Sequence, residues 1–90
     1  MVGAITFTAK ILRKQDDLPR YVVIKPELMA GATASFSAQV TLNDSAPFAR
    51  KIHPWGKGSD AWFFNLTQVQ CHKAGVETGD LVAVRVVPDV

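Results

Sequence analysis

The stretch Phe7–Ile11, which reads FTAKI, returns 41 positions later as Phe48–Ile52, which reads FARKI. With the same shift, Tyr21–Ile24 lies over Trp62–Asn65. The last apolar segment of each half matches as well, at a shift of 44 positions. Because the same types of element recur in the same order, the sequence predicts an internal repeat. Its half-repeats cover about residues 4–43 and 46–87, in a pseudo-twofold arrangement.

Each half reads as a strand, a turn, a second strand, a short helical segment and a third strand. Apolar residues alternate in the first and third strands, as in Ile5–Ile11 and Phe36–Leu42. The turns at residues 15–19 and 56–59 contain Asp, Pro or Gly, which predicts that each turn closes a hairpin. The run Trp62–Leu66 is apolar on both faces, and this is typical of a central strand. Its alternate side chains cannot all enter a barrel of this size, so we expect either one of Trp62 and Phe64, or Phe63 alone, on an outer groove or a dimer face.

The two helical segments carry end signals. In the first half Pro26 suits the first helical position and Gly31 the position after the last turn. In the second half Thr67 is the predicted N-cap and Gly75 the terminating glycine. The prediction is therefore a mainly β fold, a six-stranded split β-barrel with two short helical segments, formed by one domain over residues 1–90. Closing a barrel removes exposed sheet edges.

Composition limits the class of protein. The 90 residues are 48% hydrophobic and 20% charged, as in a folded globular domain. The one cysteine, Cys71, excludes an internal disulfide. Residues Met1–Lys10 lack a signal-peptide pattern, and the longest apolar runs, such as Tyr21–Ile24, have four residues, too few to span a bilayer. The expected location is the cytoplasm, with no membrane association.

Motifs for catalysis, metals and cofactors are weak. Cys71 and His72 are neighbours on the predicted helix, about 100° apart, so sharing a metal ion is difficult. The glycines Gly56 and Gly58 lie between two strands, whereas a phosphate-binding P-loop lies between a strand and a helix. We therefore predict a protein without enzymatic activity, cofactor or metal.

Arg50 is the most unusual residue of the pattern. It shares strand parity with Phe48 and Ile52, so strict alternation turns it toward the core. A buried arginine needs a partner. One interpretation is a strand end or bulge that exposes it, or an ion pair with Asp60 or Asp80. The other is an anion-binding site in the mouth of the barrel.

Basic residues define a second candidate surface. Lys10 and Lys51 occupy equivalent positions in the repeat, with outward parity, and Lys14, His53 and Trp55 continue that face. Such groups hold phosphates and stack bases in nucleic-acid-binding proteins, but they also form ordinary solvated faces. The full candidate surface for a ligand or nucleic acid is Lys10, Lys14, Arg50, Lys51, His53, Trp55 and Lys57.

Nearly the whole chain resembles a bacterial family, the domain of unknown function family nineteen-oh-five. The resemblance rests on Pro47-Phe48, on Ile52–Gly58, on Trp62–Phe64 and on Ala74–Val82, with Phe7–Ala9 and Tyr21–Pro26 in the first half. It implies a split β-barrel similar in shape to the swapped-hairpin barrels of some transcription regulators and antitoxins, and no assigned reaction. Members carry a basic residue directly after the phenylalanine; here that position is Ala49, and the arginine follows it.

The sequence favours a non-enzymatic interaction module that binds another protein or its own copy. The first alternative is a nucleic-acid-binding regulator of the swapped-hairpin type. The net charge of +2 argues against it, since dedicated DNA-binding domains carry denser basic surfaces. The second alternative is a small-anion-binding barrel that uses Arg50.

Overall fold

Antiparallel strands form most of the molecule. The computed structural model describes residues 4–29, 32, 34–56 and 58–89. Within them the elements are β1 (Ile5–Lys10), β2 (Arg20–Ile24), a 3-10 turn (Pro26–Leu28), β3 (Phe36–Leu42), β4 (Phe48–Gly56), β5 (Ser59–Leu66), α1 (Gln68–Ala74) and β6 (Leu81–Pro88). The predicted six strands, the helix and a helical turn are confirmed.

The strands follow the order β1-β6-β3-β4-β5-β2 and curl into a nearly closed barrel. Among the described residues, the one backbone pairing that joins the β1 side of the barrel to β2 is the bridge between Leu12, two residues after β1, and Tyr21, whose two hydrogen bonds measure 3.0 and 2.8 Å. We call this junction the seam. β4 and β5 form a hairpin whose last pair is Gly56 with Ser59, whereas the hairpin predicted at residues 15–19 is paired at the seam alone.

Alternation decides which side chains form the core. Even-numbered residues of β5 and β2 face inward, and Phe64, Val22 and Ile24 are completely buried. Ile52 of β4 and Val40 of β3 are buried with them. Each strand therefore contributes one apolar face to the barrel interior and leaves the other face for turns, solvent or ligands.

The predicted caps of α1 are confirmed. Thr67 accepts a hydrogen bond from the backbone N–H of Gln70, and the Gln70 side chain accepts one from the N–H of Thr67, which completes a capping box. Gly75 ends the helix with a positive φ of 69°, a conformation that favours glycine. Gly31, the predicted end of the first helical segment, lies outside the described residues.

The strand register agrees with two of the sequence shifts. Phe7 pairs with Val84 between β1 and β6, and Phe48 pairs with Val40 between β4 and β3. The shift of 41 positions carries Phe7 onto Phe48, and the shift of 44 positions carries Val40 onto Val84, so together they relate one pair to the other. Common ancestry of the two halves stays a prediction.

The overlay of Tyr21 on Trp62 is wrong by one residue. Tyr21 lies on the outer side of β2, while Trp62 faces inward and is 7% exposed. Since successive side chains of a strand point to opposite faces, these two positions are not equivalent. The bridge from Leu12 to Tyr21 corresponds instead to the pair His53–Phe63, so Tyr21 is the counterpart of Phe63.

Candidate functional site

A groove lined by aromatic side chains lies on the outer face of β2, β5 and β4. Its volume is about 280 Å³. We call it the aromatic groove, and its lining residues are Lys14, Leu18, Pro19, Tyr21, Trp55, Phe63 and Asn65. The strands supply the aromatic rings, and the loop between β1 and β2 supplies the remaining wall.

The rings of the groove contact one another at steep angles. Trp55 and Phe63 have centroids 5.1 Å apart and planes at 73°, and Tyr21 lies 5.8 Å from Trp55 at 51°. His53 extends the cluster, with its ring 5.4 Å from Phe63. The amino group of Lys14 lies over the Trp55 ring, 5.1 Å from its centroid, which is a cation–π distance.

Alternation along β5 explains why Phe63 lies outside. Trp62 and Phe64 point inward and are buried, so the residue between them has to point outward. Tyr21 and Phe63 come from adjacent strands, where Tyr21 pairs with Asn65 and Val23 with Phe63. Of the two alternatives that the sequence left open, the structure shows Phe63 on the outer groove, while Trp62 and Phe64 are buried.

The structure brings together only part of the predicted basic surface. Lys14, His53 and Trp55 join the aromatic cluster. Lys51 lies on the outer face of β4, beside Ser37 of β3. Lys10 lies on β1, and two strands separate β1 from β4 in either direction around the barrel, so Lys10 and Lys51 occupy opposite sides.

Lys57, a residue of the predicted surface, lies outside the described residues. Arg50 does not lie on the outer face, because it shares the inward parity of Ile52.

A second pocket, of about 450 Å³, lies at one end of the barrel. We call it the arginine pocket: Arg13, Arg20 and Arg50 line it together with Asp17, Leu66 and neighbouring residues of the loop and of the start of α1. Leu18, Pro19 and Asn65 line both this pocket and the aromatic groove. The loop between β1 and β2 therefore forms the partition between the two sites.

The match to a family model covers residues 7–86, and the model describes a domain of unknown function, DUF1905. The chain belongs to this family. Comparisons with curated proteins and with solved structures found no significant match. What the DUF1905 barrel does therefore has to be inferred from its own side chains.

Arg20 of the DUF1905 barrel has a carboxylate partner. Its side chain is 10% exposed and its Nε donates a hydrogen bond to Glu77, which is 61% exposed. The hydrogen bond from Arg20, then that from the backbone N–H of Thr78, lowers the pKa of Glu77 from 4.5 to about 2. The same bond to Glu77 raises the pKa of Arg20.

This ion pair predicts a pH dependence. Because the pKa of Glu77 is lower in the folded protein, the pair stabilises the fold fully above pH 4.5, and this contribution is lost as the pH falls toward 2. Urea unfolding between pH 6 and 2 should therefore show a smaller loss of stability in Glu77→Gln than in the wild type. Asp60→Asn, which removes an exposed carboxylate, is the control and should follow the wild-type curve. Equal curves for wild type and Glu77→Gln would contradict the assignment.

Arg50 has no such partner. Its Nε is buried and finds no hydrogen-bond acceptor among the described residues. The predicted ion pair with Asp60 or Asp80 is wrong for the described part of the chain, where the ion pair found is that of Arg20 with Glu77. The Asp80 carboxylate instead accepts a hydrogen bond from the backbone N–H of Glu77, at 2.8 Å.

The cysteine and histidine residues do not form a reactive site. Cys71 is 1% exposed, and burial raises the pKa of its thiol, which disfavours the thiolate that a nucleophile needs. The described residues contain no group of three His, Cys, Asp or Glu side chains placed to hold a metal ion. None of the helices in the described ranges has the length and apolar character needed to cross a bilayer.

Arg20 and Arg13 are functional candidates that the sequence interpretation missed. The predicted second strand began at Tyr21, whereas β2 begins at Arg20. Arg20 shares parity with the buried Val22 and Ile24, and that spacing was the available signal for an inward arginine. For Arg13, a loop residue, periodicity offers no comparable signal.

Proposed function

We propose that this DUF1905 chain is a non-enzymatic binding module that holds an extended, proline-containing, acidic peptide segment of a partner protein in the aromatic groove. The observation that carries the proposal is the cluster of Tyr21, Trp55 and Phe63 on the outer face of the barrel. These three rings do not belong to the core, so packing of the barrel interior does not explain them. Contiguous apolar surface of this kind marks interaction sites.

The ring geometry favours a peptide over a nucleobase. Bases stack on a flat, open aromatic face. Here Lys14 lies over the Trp55 ring, and Phe63 and Tyr21 meet that ring at 73° and 51°. Clefts between rings that are not parallel suit narrow, rigid groups, and aromatic-lined grooves bind proline-rich segments in the polyproline II conformation.

Charge favours an acidic partner. Lys14 is exposed and lines the groove, and Arg13 is its neighbour in the chain. The ammonium group of lysine has three donors, so Lys14 can contact Trp55 and still bind a carboxylate at the rim. We therefore place the acidic residue of the peptide next to the loop between β1 and β2.

Nucleic acid is the less favoured occupant. Phosphate contacts along a strand need a continuous basic track. The positions of Lys10 and Lys51 on opposite sides of the barrel divide the basic residues between two surfaces. Self-association through the same rings is the remaining alternative, and the experiment distinguishes it.

The test is a titration of ¹⁵N-labelled protein with a synthetic peptide of about ten residues, a length of roughly 30 Å in polyproline II, with proline at alternate positions and two glutamates. We expect shifts at the indole N–H of Trp55 and at the amides of Tyr21 and Phe63. Trp55→Ala should weaken binding about tenfold or more, as loss of a tryptophan anchor does in other interfaces. Leu81→Ala, which removes an apolar side chain 68% exposed on β6, should leave binding unchanged.

Peptides with exchanged residues are the matched controls. Exchanging the prolines for alanine should weaken binding, and exchanging the glutamates for lysine should weaken it in the wild type but not in Lys14→Glu. Equal affinity of wild type and Trp55→Ala would contradict the proposal. So would preferential binding of oligothymidine at the groove, or light scattering that shows a dimer which Trp55→Ala dissociates.

A further inference from the structure

We propose that the arginine pocket binds a small phosphate-bearing ligand, with the guanidinium of Arg50 as its principal contact and Arg20 and Arg13 beside it. This pocket adjoins the aromatic groove and shares Leu18, Pro19 and Asn65 with it, but its charged contacts, Arg20 and Arg50, do not line the groove, so the inference goes beyond the peptide proposal.

The strands place Arg20 and Arg50 on either side of one buried residue. Arg20 pairs with Leu66 between β2 and β5. Continuing the antiparallel register of His53 with Phe63 along β4 places Arg50 opposite the same Leu66. Both arginines have inward parity, so both side chains lie on the inner face of the barrel.

The central observation is that the Nε of Arg50, a residue that is itself half-buried, is enclosed without an acceptor among the described residues. A guanidinium stays charged at any physiological pH, so it cannot escape the cost of burial by losing a proton. The Nε of Arg50 is inaccessible to solvent, and the described residues offer it no acceptor. A bound oxyanion would supply both the missing acceptor and the missing charge.

The charges around the pocket are mainly positive. The carboxylate of Glu77 is already engaged by Arg20. Arg13 is held in place by hydrogen bonds from its guanidinium to the carbonyl oxygens of Leu18, at 2.8 Å, and Asp16. Of the described lining residues, Asp17 is the one with a carboxylate, against three guanidinium groups. An anion that enters the pocket therefore finds an excess of positive charge.

The barrel architecture does not require these arginines. The shift of 41 positions relates Arg50 to Ala9, and the corrected strand equivalence relates Arg20 to Trp62. Trp62 is 7% exposed and packs against Phe36, with the ring centroids 6.1 Å apart. Under the predicted repeat, uncharged side chains thus occupy the equivalent positions. Because the charge of Arg20 is also used by the ion pair with Glu77, Arg50 is the arginine whose charge the fold leaves for a ligand.

Phosphate fits this pocket better than a carboxylate does. A phosphate group offers several oxygens in a tetrahedral arrangement and up to two negative charges, so it can accept hydrogen bonds from more than one guanidinium. A carboxylate has two oxygens in one plane and satisfies a single guanidinium fork.

The experiment follows the Nε–H resonances of the arginine side chains during titration with inorganic phosphate and, separately, phenyl phosphate. Ionic strength is held constant with chloride, and the range extends to about 50 mM, which detects millimolar dissociation constants. We expect the Arg50 Nε–H resonance to move downfield and saturate. Tighter binding of phenyl phosphate than of inorganic phosphate would identify a phosphate ester as the ligand, and the reverse order would identify the free ion.

Variants separate binding from folding. Arg50→Met should remain folded, because it replaces a half-buried arginine whose Nε has no acceptor among the described residues by an apolar side chain of similar size. It should bind phosphate about tenfold or more weakly. Arg50→Lys retains the positive charge but lacks the planar, forked N–H donors of the guanidinium, and should also bind phosphate more weakly. Arg85→Met, which removes an exposed arginine on β6, should bind like the wild type.

Three results would overturn the proposal. The first is an Arg50 Nε–H resonance that does not respond to either phosphate compound. The second is a folded Arg50→Met or Arg50→Lys variant with wild-type affinity. The third is acetate that moves the same resonance with equal or higher affinity, since the pocket would then be selective for carboxylates.

Discussion

Replacing Phe64 with alanine is expected to lower the free energy of unfolding by about 3–5 kcal/mol, the usual range for deletion of a buried aromatic ring. Phe64 is the largest of the fully buried side chains among the described residues. It lies on the inner face of β5 between Trp62 and Leu66, and pairs with Val22 of β2. A domain of this length has a total stability of roughly 5–13 kcal/mol, so the substitution should remove a large part of it.

Urea unfolding, monitored by far-UV circular dichroism, measures this effect. Phe63→Ala is the matched control, because it removes the same ring one residue earlier on the outer face of β5. We expect the control to lose less than half as much stability. Equal losses for the two variants would mean that the inward and outward faces of β5 have been assigned incorrectly.

Replacing Gly79 with valine is expected to lower the free energy of unfolding by about 1–3 kcal/mol through backbone strain. Gly79 has a φ of 93°, which a β-branched residue adopts only at high cost. A Cβ atom at this position would meet no atom within 4 Å, so a clash of the Cβ does not contribute to the loss.

The Gly79 loop also holds the end of β1. The N–H of Gly79 donates to the carbonyl of Ile11, at 2.8 Å, and the N–H of Ile11 donates to the carbonyl of Asp80, at 2.9 Å. A relaxed backbone at Gly79→Val should break these bonds and broaden the amide signal of Ile11. Thr78→Val introduces the same side chain one residue earlier and should have a small effect. A Gly79→Val variant as stable as Thr78→Val would contradict the strain argument.

Local patterns predicted the elements of this barrel well. Alternation located the strands, and Thr67 and Gly75 located the ends of the helix, because the physical causes of these features lie within a few residues. The inward parity of Arg50 was predictable for the same reason. The overlay of Tyr21 on Trp62 failed because, in β-strands, an error of one residue exchanges the two faces.

Contacts between distant parts of the chain were not predictable in the same way. Periodicity says which side of a strand a residue occupies, but it does not say which strands are neighbours. The separation of Lys10 from Lys51 follows from strand order alone. The pairing of Arg20 with Glu77 and the contact of Lys14 with Trp55 join loops and strands far apart in sequence.

The seam has a consequence for motion within the folded state. Opening the barrel between β1 and β2 disrupts the two hydrogen bonds of Leu12 and Tyr21, whereas the other strand boundaries hold three residue pairs between β4 and β5 and five or six elsewhere. Fluctuations of the native barrel should therefore concentrate on this line. Because Tyr21 belongs to both the seam and the aromatic groove, each opening also changes the width of the groove. A partner held there would oppose these openings, by a free energy that grows with the logarithm of its concentration relative to its Kd.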